Sequence, residues 1–392
     1  MAQYDIENML DTARELAGRV AANADRIDCE RQIPAELSAE IADKGFFRLL
    51  VPRSLGGAEL DHPDFLRILQ IFAEADGSTA WCINQNNVFA TASVIIPEQT
   101  AREIWSDGRA VVANGPPEPS TQAIPVDGGY RLSGRWNFST GSPNATWVAA
   151  LTPVAHPDRK QRAFSDSAST RRASTRIMLI PKKDVIFRDT WQVAGLRGTG
   201  SFSFEVEDLF VPSIRAYDPV AAPRESGPLY AIPRTLLFAS GDATIALGIA
   251  RASLIATIEL AGTKTPGRAS SLLQDHPATQ RLIGEGEAIW HSARAFLEES
   301  ASAVWKTASK HLAPTTEQRI RLRLASTFGI RKAAEVVDIS YNLCGSSAIF
   351  ASNPIQRQFQ DISVITQHLQ GRPTNYETAG QFFLGLEPEG SF

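Results

Sequence analysis

From Ile6 to about Ala92, apolar residues recur every three or four positions, which predicts a run of amphipathic helices. Leu10, Ala13, Leu16 and Val20 fall on one face, and Pro34 marks a second helix start at Ile33-Pro-Ala-Glu-Leu. The pattern breaks at Val51-Pro-Arg-Ser-Leu-Gly-Gly, where Gly56-Gly57 supplies a turn. It resumes with HPDFLRILQIFAEAD and, after Asp76-Gly77-Ser78, with TAWCINQNNVFATASVII. Asn84, Gln85, Asn86 and Asn87 put four amides into that last apolar run. Buried amides need partners. Either they face water and cap neighbouring helices, or one or two of them line a ligand pocket.

Between about Val111 and Pro212 the period shortens from 3.6 to 2. YRLSGRW, TWVAALTPV, TRIMLIPKKDV and GSFSFEVEDLFVP are β-rich and separated by Gly, Pro, Asp and Ser, as expected of an all-β module. Within it, AHPDRKQRAFSDSASTRRAST is polar and basic and reads as an exposed loop. From about Thr235 the helical period returns in three long segments with Ala-rich apolar faces, the pattern of an antiparallel bundle. The fold class is therefore α+β. The expected division is an N-terminal α-helical domain over residues 1–110, a central β-barrel or sandwich over 111–215, and a C-terminal four-helix bundle over 216–392.

Composition narrows the function classes. The 392 residues are 43% hydrophobic and 21% charged, ordinary for a globular chain. A formal charge of -4 leaves no basic stripe for nucleic acid. Cys29, Cys82 and Cys344 are too scattered for a disulfide framework, and His62, His156, His276, His291 and His311 lack metal-ligand spacing, so no metal is expected. The N-terminus has neither a basic start nor an unbroken apolar run, which predicts a cytoplasmic protein without a membrane span. Arg319, Arg321 and Arg323 read as a solvated helix face.

The densest chemistry lies in SGRWNFSTGSPNATWV, Ser133 to Val148. Trp136, Asn137 and Phe138 lead into Ser139, Thr140 and Gly141, and Ser142-Pro143-Asn144 forms a second loop signal. On the residues alone this is either a β-hairpin with a buried Trp or a glycine-bearing loop suited to a flat, polar-edged cofactor.

Several phrases in order along the chain resemble the acyl-CoA dehydrogenase superfamily: VPRSLGGAELD, GRWNFSTG, WQVAGLRGTGSFSFEVEDLFVP, HPATQRLIGEGEA and LCGSSAIFASNPIQRQFQDISVITQH. Acyl-CoA dehydrogenases commonly place a catalytic Glu a few residues beyond an Arg-Asp pair. Asp361 marks that place, yet the column eight residues on is Leu369, and Gln360 stands where the Arg is usual, with Arg357 nearby. His368 sits beside the column instead. Together with GSTAW at 77–81 and GLRGTGS at 195–201, it is similar to the branch of two-component flavin-dependent monooxygenases.

That resemblance implies an oxygenase component that takes reduced FMN or FAD from a partner flavin reductase and hydroxylates a small molecule through a flavin hydroperoxide. It assigns catalysis to His368, Ser139 and Asn144, the last where many relatives have a His. Cofactor contacts fall to Trp136, Phe138, Ser139, Thr140, Arg197, Thr199 and Ser201, with Gly345, Ser346 and Ser347 reaching a neighbouring subunit's flavin in a homotetramer. The substrate pocket falls to Trp81, Gln85, Asn86 and Asn144. A protonatable imidazole suits a site that must deliver or withhold a proton near neutral pH. Asn144 cannot act as a general base, which points away from a phenol and toward an amine, a heteroatom or an electron-rich ring. No G-x-G-x-x-G follows a strand, so no nicotinamide site is expected. The alternatives are an acyl-CoA dehydrogenase-like oxidoreductase with tightly bound FAD and Glu377 as base, or a catalytically silent scaffold.

Overall fold

The computed structural model describes residues 5–155 and 175–392. Residues 156–174, which hold most of the polar basic segment and His156, lie outside the described residues.

Six helices come first: α1 (Ile6–Ala22), α2 (Ala24–Glu30), α3 (Ala35–Asp43), α4 (His62–Ala75), α5 (Gly77–Ala90) and α6 (Glu98–Trp105). Their starts follow local chemistry. Asp5 accepts from the amides of Glu7 and Asn8 to open α1, and Asp76 accepts from the Thr79 amide and hydroxyl, both at 2.7 Å, to open α5. Of the fourteen residues of α5, only Gln85 escapes full burial.

The strands form two four-stranded sheets. One runs in the order β1 (Val112–Gly115), β4 (Trp147–Pro153), β5 (Thr175–Pro181), β8 (Ala216–Tyr217), with only the β1–β4 pair parallel. The other is antiparallel, in the order β2 (Gln122–Val126), β3 (Gly129–Ser139), β7 (Phe202–Pro212), β6 (Ile186–Arg188). Trp136 on β3 stacks on its cross-strand partner Phe204 at 4.9 Å, and its Nε1 donates to the Leu151 carbonyl of the other sheet. The module is thus a sandwich pinned through its middle by a tryptophan.

The chain then returns to helix: α7 (Arg234–Ala261), α8 (Pro277–Ala308), α9 (Thr316–Cys344), α10 (Pro354–Gln367) and α11 (Thr374–Phe383). A reciprocal Thr315–Gln318 capping box opens α9, and Gly345 at φ +52° closes it. The α+β class expected from the change of period is the one adopted. One apolar core runs from Leu10 through Trp136 to Val337, so helices and sandwich share an interior. By length and composition α7 could cross a membrane, but it is the inner helix of the bundle, and most of its apolar window is covered by neighbouring helices.

The arginine run on α9 departs from expectation. Arg323 is buried, with Nη2 donating to Thr235 Oγ1 at 2.8 Å, Nε to the Ser391 carbonyl at 2.9 Å, and Nη1 to Gln370 Oε1. Three donors spent on interior acceptors make a buried guanidinium tolerable.

Candidate active site

Two clusters meet on either side of α5. In the first, His368 caps the C-terminus of α10, and its Nδ1 lies 3.0 Å from Oδ2 of Asp242, a fully buried carboxylate in the third turn of α7. The contact is close enough for an ion pair but out of line for a straight hydrogen bond, and neither atom has another partner. Oδ1 of Asp242 accepts from Asn84 Nδ2 at 2.9 Å and Gln85 Nε2 at 3.3 Å. Burial pushes the Asp242 carboxyl up from its ordinary range, and His368 provides the strongest opposing pull. Gly241 makes the approach possible, because a Cβ there would lie 2.1 Å from Asn84 Oδ1. The Trp81 ring stands edge-on to the imidazole, with centroids 5.2 Å apart. Since Nδ1 is sealed, the exposed third of the His368 side chain is the remainder of the ring. The pair is an imidazole held from behind by a carboxylate, able to hold or release a proton on its open side.

In the second cluster, the β3–β7 register shifts between Trp136 and Ser139, and Phe138 takes φ +57° within the bulge. That turns Phe138 outward, 63% exposed, with its ring edge-on to Trp191 at 6.0 Å. Beside it runs a ladder of hydroxyls: Thr140 Oγ1 to Ser201 Oγ at 3.0 Å, Ser201 to Thr199 Oγ1 at 2.8 Å, and Thr199 donating to the Leu196 carbonyl at 2.8 Å. Leu196, itself at φ +50°, donates its amide to Oδ1 of buried Asp361 at 2.5 Å. Burial, reinforced by the neighbouring Asp76 carboxylate, pushes Asp361 up to about 7. Cys82, the residue after Trp81, contacts the Thr199 carbonyl through Sγ at 3.7 Å, so one helix carries both clusters.

These surroundings fit a flavin. An exposed aromatic in a left-handed bulge, beside the partly exposed Thr140 and linked through α5 to an imidazole, offers a ring system a flat apolar contact and a neutral hydrogen-bonding edge. Of the expected cofactor residues here, Phe138 is exposed and Thr140 partly so, whereas Thr199 and Ser201 are buried behind Thr140 with their hydroxyls paired.

Other residues expected at the site are engaged elsewhere. Trp136 is wholly inside the sandwich and has no open face for a cofactor. Ser139 is buried too, its Oγ without a partner behind the Phe138 bulge. Asn86 brackets the Phe47 carbonyl and the Val112 amide at 2.8 and 2.9 Å, a tie between helices and sheet in place of a pocket wall. Asn144 donates to the Ile33 carbonyl at 2.9 Å. Arg197 donates to the Asp28 carbonyl and pairs with its carboxylate at 3.3 Å. The demand for partners inside the fold engages Trp136 Nε1, Asn86, Asn144 and Arg197, whereas the buried Ser139 Oγ is left without one. Trp81 and Gln85 do reach the His368–Asp242 pair. Gly345, Ser346 and Ser347 follow α9, where Lys264 donates to Ser347 Oγ at 3.0 Å and to the Cys344 carbonyl at 2.6 Å. Glu377 lies exposed on the first turn of α11, and Leu369 occupies the dehydrogenase base column half-exposed, so no carboxylate stands where that chemistry needs one. Asp242, the carboxylate that meets His368, is not among the residues the sequence singles out. It is the single charge between Arg234 and Arg251 in an otherwise apolar helix, a pattern that demands a buried partner.

Comparison with known families agrees with this architecture. The model for the acyl-CoA dehydrogenase N-terminal domain matches residues 4–101, and that for the acyl-CoA dehydrogenase C-terminal domain matches residues 240–373. The chain belongs to the acyl-CoA dehydrogenase superfamily. Within it, the chain falls with the oxygenase components of flavin-dependent monooxygenases. It is similar to an indole-3-acetate monooxygenase of Pseudomonas putida, 28% identical over 97% of this chain and 94% of the relative. It is also similar to the oxygenase component of an FADH(2)-dependent resorcinol hydroxylase of a Rhizobium species, 26% identical over 96% of each. Among solved structures, a 3-HSA hydroxylase from a Rhodococcus species superposes with a TM-score of 0.86 at 25% identity, covering 99% of this chain and 98% of that one.

Proposed function

We propose that this chain is the oxygenase component of a two-component system, receiving reduced FMN or FAD from a separate flavin reductase in the cytoplasm and oxygenating an electron-rich aromatic ring. The observation that carries this reading is the His368–Asp242 pair beside Trp81 on α5, the helix whose next residue, Cys82, touches the hydroxyl ladder at the Thr199 carbonyl. When bound, reduced flavin supplies the electrons that split dioxygen, one oxygen atom going to the substrate and the other to water. Phe138 and the Thr140 hydroxyl hold the ring system, and Ser201 and Thr199, buried behind Thr140, fix the direction of its hydroxyl. Trp81 and Gln85 form the wall against which the substrate ring lies. His368, oriented by Asp242, keeps a proton at its open nitrogen and delivers it when charge develops on oxygen. Asn144 is held by Ile33 and no base replaces it, so the substrate is a ring that reacts without deprotonation, such as an indole. The loop at Gly345–Ser347 reaches the cofactor of a neighbouring subunit in a homotetramer, and the N-terminal, central and C-terminal units keep the boundaries 1–110, 111–215 and 216–392.

The test is a stopped-flow trace after the anaerobic protein with reduced FMN or FAD meets oxygenated buffer. The expected result is a transient absorbance band that neither reduced nor oxidised flavin has, shortened at least tenfold in His368→Ala. Direct reoxidation without a transient, in a protein purified with yellow FAD that an acyl-CoA bleaches, would overturn the reading.

A further inference from the structure

The contact between His368 and Asp242 is close but out of line, so the pair does not lock itself in place. The carboxylate rides on α7, where Asn84 and Gln85 hold it from α5. The imidazole rides on the turn from His368 to Gly371, and α9 grips that turn. Arg323, Thr327 and Arg331 recur every four residues along α9 and so share one face. Thr327 Oγ1 donates to the Gln370 carbonyl at 2.9 Å, and Arg331 donates to the Gly371 and Thr366 carbonyls at 2.7 and 3.2 Å. Gly371 lets the turn close on α9, since a Cβ there would lie 3.0 Å from Ile330 Cγ2, and its amide returns to the His368 carbonyl at 2.9 Å.

Thr327 and Arg331 reach backbone carbonyls of the turn and of the α10 end just before it, whereas Arg323 reaches across to α7. Its Nη1 donates to the Gln370 side chain, two residues past His368. Its Nη2 donates at 2.8 Å to Oγ1 of Thr235, which lies on the helix of Asp242, seven residues before it. Seven residues are two helical turns, so Thr235 and Asp242 share a face of α7. The Ser391 carbonyl takes Nε at 2.9 Å and holds the fork from a third side. Arg323 and Gln370 are 1% and 3% exposed, so no water competes for the bond between them. The charge of Arg323 also reaches Asp242: burial raises that carboxyl, and His368, Asn84 and, most weakly, Arg323 pull it down.

We propose that Arg323 is a positioning residue for the reaction: its fork sets the distance between the turn that carries His368 and the helix that carries Asp242. The role rests on the monooxygenase reading for what the imidazole does, but not for where it is held. A guanidinium suits the task because its donors are coplanar and diverge at fixed angles. Lysine would keep the charge yet could not serve Gln370, Thr235 and Ser391 in one plane. Without the Gln370 arm the turn is held by its backbone alone, and the imidazole moves while the fold persists.

The experiment compares Gln370→Met, which removes the acceptor, Gln370→Glu, which keeps it, Arg323→Lys, and the Arg323→Lys/Gln370→Met double. Arg321→Met, at a half-exposed arginine 3.6 Å from Glu299, is the control. On the flavin-free, full-length protein, mass spectrometry follows the rate at which diethyl pyrocarbonate acylates His368 at neutral pH, with His276, His291 and His311 as internal references. Gln370→Met and Arg323→Lys are expected to raise that rate at least about threefold, and Gln370→Glu and Arg321→Met to stay within about 1.5-fold of wild type. The double should exceed the worse single by no more than about 1.5-fold, because both changes act through one bond. The stopped-flow transient with reduced FMN should shorten in the same order. A purely structural arginine would lower melting temperatures and leave both readings of the folded protein at wild-type values. Unchanged His368 rates in Gln370→Met, a Gln370→Glu protein as damaged as Gln370→Met, or effects that multiply in the double each overturn the proposal. Should Gln370→Met fail to fold, Arg323→Lys against Arg321→Met decides by the same criterion. If wild type itself gives no transient, the monooxygenase reading fails, and the His368 rates still decide the tie.

Discussion

Replacing Asp242 by Asn isolates the contribution of the buried carboxylate to the imidazole in front of it. Asn keeps the volume and retains an oxygen for the Asn84 and Gln85 amides, so the packing around Gly241 survives. What is lost is the charge 3.0 Å from His368 Nδ1. At that distance Coulomb's law gives about 5.5 kcal/mol at an effective dielectric of 20 and about 1.4 kcal/mol in bulk water. With a third of the imidazole exposed, the lower part of that range applies, roughly 2 kcal/mol. If the ion pair holds the ring in its productive orientation, product formation should fall about 30-fold, with the missing turnovers appearing as hydrogen peroxide. Stability should move the other way. Burial raises the Asp242 carboxyl, so its charge is an expense that the fold bears above the normal carboxylate range. Asp242→Asn should therefore melt at or above wild type at pH 8. The assay is product and peroxide yield per reduced flavin supplied, alongside a thermal melt. Product formation within threefold of wild type, or a fall in melting temperature with coupling intact, would refute the reasoning.

Asp361 makes a sharper pH statement. Its folded pKa, about 7, lies above the unfolded value near 4, so the native state holds the proton more tightly, and stability should fall as pH rises from about 4 through 7. Asp361→Asn keeps an acceptor for the Leu196 amide and should flatten that slope in melts at pH 5, 6.5 and 8; parallel slopes would count against it. Two aromatics two residues apart should behave oppositely. Trp136→Ala should cost about 3–5 kcal/mol of stability with little change in flavin affinity of the folded fraction. Phe138→Ala should leave stability within about 0.5 kcal/mol yet weaken flavin binding about tenfold in a fluorescence titration.

That contrast shows what the sequence could and could not convey. The change of period from 3.6 to 2 and back located the sandwich between two helical stretches, because burial on one face writes itself into spacing. Strand alternation, however, places Trp136 and Phe138 on the same face. Only the bulge, with Phe138 in a left-handed backbone that its residue type does not announce, separates core from surface. The amides of α5 posed a similar ambiguity. Asn86 and Gln85 are adjacent and chemically alike, and which one meets a backbone carbonyl and which meets Asp242 depends on the helix's rotation within its neighbours. His368 was legible through its place after Asp361. Its partner was not, since Asp242 lies 126 residues upstream on another helix, though a solitary acid in an apolar run carried a trace of it. Arg323 ran the other way, a charge in an arginine-rich stretch that tertiary packing drew inside.

The enclosure of α5 has a consequence for how such an enzyme can change over evolutionary time. A helix with neighbours on every side admits few substitutions, since any altered residue disturbs helices, sheet or the His368 pair at once. Innovation in substrate choice must then be exported to walls that answer to fewer masters. The strap from Pro219 to Pro233, rich in proline, partly solvated and set against the turn after α5 across a cavity of about 300 Å³, is such a wall. An evolving lineage, or a protein engineer, would retune this catalyst fastest by rewriting the strap and leaving the central helix untouched.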